Sequence, residues 1–223
     1  DANCLLEHCV IRYGGYYNSH VIYCANASPT IRNCEISQCY NALYLAGWSS
    51  PVVVSNSVQT VGGNWAFYLD SVGQPEVRGN TINSSGNGIS LNGGAATVSG
   101  NTITAASSGI SVVSGAATIT GNTLNVGSDG ISVQSGGSTV VGNTINNATS
   151  SGVGLALGSS SGTVSSNTVY GGALGIQCGN GCTATVQYNQ VHNTLSYLEQ
   201  HMGSSASLTG NTATGPGFRG LRV

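Results

Sequence analysis

Charge is what this sequence has least of. Aspartate, glutamate and arginine together make up 5% of its 223 residues, lysine is absent, and the formal net charge is -2; an ordinary soluble domain carries roughly a quarter charged residues. So few cations leave no electrostatic footprint for phosphate backbones or anionic lipid, so nucleic acid is not an expected partner. No apolar run approaches the ~18 residues of a helical membrane span, and none is expected. Proline occurs four times and methionine once. No segment sustains a 3.6-residue apolar period, which argues against helices. No signal-peptide pattern opens the given sequence, so a mature chain or a piece of a longer one is the expectation.

What is present is periodic. The segments VRGNTI (77–82), VSGNTI (98–103), ITGNTL (119–124), VVGNTI (140–145) and VSSNTV (164–169) share one pattern, continued by VQYNQV (186–191) and LTGNTA (208–213). Its asparagines are Asn56, Asn80, Asn101, Asn122, Asn143, Asn167, Asn189 and Asn211, spaced by 24, 21, 21, 21, 24, 22 and 22 residues. A second phrase follows each motif: GISL (88–91), GISV (109–112), GISV (130–133), GVGL (152–155) and GIQC (175–178). Alternation such as Ile89 in, Ser90 out, Leu91 in has the two-residue period of a strand. Each coil is therefore expected to hold at least two short strands and two turns.

A unit of 21–24 residues cannot bury its apolar face alone, but stacking units builds a continuous core. The expected fold is all-β: a single parallel β-helix domain over 1–223, with about ten coils. Coils in 1–78 are aromatic-rich with longer loops, and those in 79–223 are regular. Stacking places the eight asparagines above one another as an internal ladder whose amides bond each other and the turn backbone. In the first coils, IRNCEI (31–36) fits the frame if Cys34 replaces asparagine, and ANCLL (2–6) then aligns Cys4 with it and Cys9 with Cys39.

The NTI and GI-x-L repeats resemble the right-handed parallel β-helix repeats shared by pectate lyases, polygalacturonases, alginate epimerases and many bacterial surface proteins. The resemblance implies a right-handed, single-stranded solenoid with a surface groove where elongated polysaccharide lies. It also implies that catalysis, where present, uses clustered outward carboxylates, with calcium and a basic residue or with a histidine. Residues 79–198 contain one charged side chain, Asp129, so no such cluster fits there. The nearest approach is Asp70, Glu76 and Arg78, the candidate site of a polysaccharide lyase or hydrolase; the alternative reading of these three is solvated loop charges and a salt bridge. No cofactor is expected, and no metal either, because His8, Cys9 and His20 lack paired C-x2-C ligands.

Ten of the fourteen aromatic residues lie between Tyr13 and Tyr68. In the frame of the second phrase, Tyr23, Tyr44 and Tyr68 point outward on three successive coils, with Trp48 and Trp65 in adjoining turns and Tyr13, Tyr16 and Tyr17 in a longer first loop. Such a surface suits stacking on sugar rings; its bland alternative is mutual bracing of the tyrosines. The same stripe continues through Ser90, Ser111, Ser132, Gly154 and Gln177. Two threonine rows, Thr81 to Thr168 and Thr97 to Thr185, raise an ice-binding alternative, but they fall on opposite sides of the asparagine turn. Cys178 and Cys182 flank a Gly-Asn-Gly turn and are a candidate disulfide. Uncapped coils at both ends point to continuation of the protein or head-to-tail stacking into a filament.

These observations favour an extracellular or cell-surface structural solenoid, with polysaccharide as the expected partner, over an enzyme.

Overall fold

In a computed structural model of the chain, the described residues are 4–15, 19–70, 73–147, 149–215 and 219–222, with 219, 221 and 222 described by backbone alone. Among them there is no helix. Thirty strands form three sheets of ten, and every pairing is parallel. Sheet A runs from Leu5–Glu7 to Ser207–Thr209, sheet B from Val10–Arg12 to Thr212–Thr214, and sheet C from His20–Ala25 to Arg219–Arg222. Each coil contributes one strand to each sheet in the order A, B, C, so the fold is a parallel β-solenoid.

Three strands per coil refine the two phrases visible in the sequence. The NTI motif is cut in two by its own turn: Val98 ends up in sheet A, and Thr102 and Ile103 in sheet B. The cut falls at a left-handed residue just before the asparagine. Gly79, Gly100, Gly121, Gly142 and Gly210 hold φ between 59° and 65° there, and His8, Asn33, Ser55, Ser166 and Tyr188 hold 53° to 55°. One left-handed residue turns the chain sharply between two extended segments, at least cost for glycine.

That turn buries the asparagine and leaves its amide to satisfy the backbone. Asn122 Oδ1 accepts from both the N–H and the Nδ2 of Asn101 at 2.9 Å, while its own Nδ2 donates to Val98 O and to Asn143 Oδ1. The same bonds repeat along the ladder from Asn56 to Asn211. Alternate residues fill the interior: Val98, Ile103 and Ile110, among many others, are fully buried and stack on their counterparts in adjacent coils. Each such side chain contributes roughly 1.5–3 kcal/mol through burial.

Two alignments drawn from the sequence are corrected. The first coil slips by half a motif: Thr30 N bonds Cys4 O just as Val52 N bonds Pro29 O, so Cys4 stands before a sheet A strand. Cys9, not Cys4, occupies the ladder position above Cys34, since Glu35 N bonds Cys9 O as Ser57 N bonds Cys34 O. Cys34 takes over the asparagine's contacts, its N–H donating to Asn56 Oδ1 and its thiol to Leu6 O at 3.5 Å. The outward stripe of sheet C passes from Ser132 to Ala156 rather than to Gly154, because the strand Val153–Ser160 pairs Ile131 with Leu155. GLAL (154–157), two residues further on than GVGL, is the in-frame phrase.

Candidate functional site

Sheet C positions the aromatic row. Tyr23 pairs with Tyr44 and Tyr44 with Tyr68, one residue beyond the inward Ile22, Leu43 and Phe67. The rings stand close, with centroids 5.2 Å apart for both neighbouring pairs, tilted or edge-on rather than flat against one another. Tyr23 is 61% exposed, and Tyr44 and Tyr68 are half-buried. His20, on the same strand as Tyr23, also packs against Tyr44, its ring 5.1 Å away.

Two residues beyond Tyr68 on the same strand, the outward Asp70 joins this surface. Tyr44 Oη donates to Asp70 Oδ2 at 3.1 Å, and Asn92 Nδ2 donates to Asp70 Oδ1 at 2.8 Å. Partial burial, followed by the Asp70 carboxylate accepting its hydrogen, pushes the Tyr44 hydroxyl above its ordinary value. Tyr44 is therefore held as a neutral donor rather than a phenolate base. Desolvation lowers His20, which keeps its ring neutral beside the tyrosines. The surface offers aromatic rings, one carboxylate and an amide on adjacent coils, the combination that stacks on a sugar ring and grips its hydroxyls.

Asp70 ends the sheet C strand Trp65–Asp70, whereas Glu76 and Arg78 stand on the sheet A strand Glu76–Arg78, where they bond each other at 2.5 Å. Arg12 is likewise committed to Glu35 and Arg32 to Glu7. On sheet C the next carboxylate along the outward row is Glu199, six strands from Asp70. At ~4.8 Å per strand that is ~29 Å, beyond the ~5–9.5 Å that glycoside hydrolysis requires of its pair. No group of three or more metal-ligating side chains occurs among the described residues.

Trp48 is almost wholly exposed in the turn after the strand Asn41–Ala46, and Trp65 opens the strand Trp65–Asp70. Tyr13 is exposed, while Tyr16 and Tyr17 lie outside the described residues. Further along, the outward row becomes polar. Ser90 and Ser111 are covered by their neighbours, and Ser132, Ala156 and Gln177 line a hollow of about 340 Å³. Gln177 Nε2 lies 3.1 Å from His201 Nε2, and Glu199 lies 3.5 Å from the same ring nitrogen. One face of sheet C thus carries aromatic residues at one end and amide, hydroxyl and carboxylate groups at the other. Cys178 and Cys182 are both buried as free thiols in hydrogen-bond contact, which raises Cys178 and lowers Cys182.

The tyrosine row is legible in the sequence because it recurs in one frame. Asp70 and Asn92 were missed as its partners, since their bonds run between coils 22 to 26 residues apart.

The three stacked sheets define the class of protein: a parallel β-helix. The family model described as right handed beta helix region matches residues 1–124 and 87–223, and the chain belongs to that family. No curated protein and no solved structure matches it.

The ion pairs of the first coils give a testable pH dependence. The Arg32 guanidinium bonded to Glu7, and that of Arg12 bonded to Glu35, hold both carboxyls below their ordinary value. Groups depressed in the folded state stabilise above the unfolded pKa and lose that contribution as pH falls through the folded pKa. His20, lowered by burial, acts in the same direction, its contribution fading as pH drops below the ordinary histidine range. Thermal unfolding should therefore shift to lower temperature between pH 7 and pH 3. A Glu7→Gln, Glu35→Gln double variant should show a shallower fall, and equal falls in the two proteins would sink this assignment.

Proposed function

We propose that the chain is an extracellular or cell-surface β-helix that binds polysaccharide along the outward face of sheet C, serving as a structural and binding element rather than as a cleaving enzyme. The observation that carries this reading is the row Tyr23, Tyr44 and Tyr68, tied to Asp70 and Asn92 by hydrogen bonds between coils. Ten parallel strands make this face ~43 Å long at ~4.8 Å per step, a length suited to a polymer more than to a small molecule. The separation of Asp70 from Glu76 and Arg78 favours binding over the lyase or hydrolase alternative. A surface nearly free of charge and rich in Asn, Ser, Thr and Gly agrees with work outside the cytoplasm.

Affinity electrophoresis against a panel of neutral and acidic polysaccharides tests this. The intact chain should be retarded by at least one glycan, and Tyr44→Ala should weaken that retardation about five- to tenfold, the scale of one lost aromatic contact. Tyr44→Phe, which keeps the ring, should retain most of it. The glycan should emerge with unchanged chain length. Shortened glycan would move the assignment to an enzyme, and absence of retardation by every glycan would refute the binding role.

A further inference from the structure

A second face of the solenoid, unrelated to the tyrosine row, has the chemistry of a saccharide site. The outward row of sheet B runs through Thr104, Asn125, Asn146, Tyr170 and His192 on successive strands. Beside it, where sheet B turns toward sheet C, lies a groove of about 620 Å³, within the range of ~300–1,000 Å³ usual for ligand sites. Its inner wall is apolar and low: Ala105 and Val126 are buried under it, and Gly127 and Gly171 add no side chain.

Two features of the rim point to the ligand. Tyr170 stacks on His192 with centroids 4.9 Å apart and planes 19° from parallel. Because His192 lies on the following strand, the opposite face of the Tyr170 ring looks back along the groove toward Asn146. His192 Nδ1 is itself fixed to Thr214 Oγ1, so the aromatic stack is braced from behind. Ahead of the ring, Asn146 Nδ2 donates to Asn125 Oδ1 at 2.9 Å, which orients both amides on this solvent-accessible row and uses only one acceptor of Asn125 and one donor of Asn146. A ring face, a strip of methyl and backbone surface, and an oriented acceptor and donor in line are what a pyranose chain engages.

No charged side chain lines the groove. The five arginines are Arg12, Arg32, Arg78, Arg219 and Arg222, all outside it. An anionic polymer would be desolvated here without a counter-charge, whereas a neutral one would not. We propose that this groove binds a neutral glycan strand, with Tyr170 as its stacking platform and Asn125 and Asn146 as hydroxyl contacts. The site rests on its own residues and does not depend on the sheet C reading.

Calorimetric titration of the full chain with cellohexaose, mannohexaose and hexagalacturonate tests the proposal. At least one neutral hexasaccharide should bind, with hexagalacturonate binding at least about tenfold more weakly in this groove because its charge finds no partner. Tyr170→Ala should weaken the neutral ligand about fivefold or more, and Tyr170→Phe should not. Asn125→Ala should weaken it in the same direction, with far-ultraviolet dichroism and the unfolding temperature showing each variant folded. Binding that survives Tyr170→Ala but is lost in Tyr44→Ala would overturn the groove while leaving the sheet C site standing. No binding of either neutral hexasaccharide, or preference for the acidic one that depends on Tyr170, would also overturn it.

Discussion

Asn122→Ala should lower the stability of the solenoid by about 3–5 kcal/mol, far more than an exposed polar substitution. Four hydrogen bonds vanish together: two that Asn122 Oδ1 accepts from Asn101 and two that its Nδ2 donates, to Val98 O and Asn143 Oδ1. The side chain is 1% exposed, so water cannot replace them. One buried group left without a partner costs about 1–3 kcal/mol, and each further lost bond adds about 0.5–1.5 kcal/mol. Asn122→Asp should fare no better, because a carboxylate has no hydrogens to give Val98 O and carries a charge into the interior. At the far end of the ladder, Asn211 is only half-buried and makes three such bonds rather than four, and water can replace part of them, so Asn211→Ala should cost about 1–2 kcal/mol. Denaturant unfolding of the two alanine variants measures the contrast; equal losses would show that the ladder does not act as a buried network.

Gly130→Ala should be of comparable effect, about 3 kcal/mol or enough to prevent folding. Gly130 stands where the chain enters sheet C, with coils stacked on both sides. A Cβ there would lie 2.4 Å from Gly154 O and 2.5 Å from Ile145 Cγ2, and the first of these is backbone that the stacking holds in place. Overpacking a close-packed interior typically costs about 1–3 kcal/mol, and a backbone clash sits at the upper end or beyond it. Gly121→Ala separates this effect from backbone strain. Its φ is +60° but its Cβ would meet nothing within 4 Å, so only the left-handed conformation is penalised, about 1–2 kcal/mol. Soluble yield and the denaturation midpoint of both variants check the order, and Gly121→Ala proving the worse of the two would contradict it.

The repeat was legible because the ladder asparagine sits in an almost invariant phrase, and a buried amide with four partners admits few substitutes. The partition of each coil into three strands was hidden, because the residue that makes the cut need only tolerate a left-handed backbone. Glycine fills that place in some coils, and His8, Ser55 or Tyr188 in others. The first coil was misaligned by half a motif because Cys9 and Cys34 both stand in for asparagine, leaving Cys4 as a decoy next to the following strand. The long strand Val153–Ser160 shifted the frame of the second phrase by two residues, since two glycine-led options, GVGL and GLAL, overlap there.

Of the candidate sites, the row Tyr23, Tyr44 and Tyr68 was visible as a stripe because one residue type recurs in one frame. The recruitment of Asp70 and Asn92 depended on contacts between coils, diagonal from Tyr44 to Asp70 and direct from Asp70 to Asn92, which no single repeat displays. Tyr170 and His192 escaped notice because the outward row they share with Thr104, Asn125 and Asn146 does not keep one residue type. Their common position became plain only once sheet B fixed the register.

Chemical footprinting shows directly whether polysaccharide lies on the tyrosine row of sheet C. Tyrosines are nitrated with tetranitromethane in the presence and absence of the retarding glycan, and each site is read by mass spectrometry. Glycan should protect Tyr23, Tyr44 and Tyr68 while Tyr188, 59% exposed in a turn between sheets A and B, reacts equally in both samples. Unchanged nitration of all three row tyrosines with glycan bound would contradict that placement.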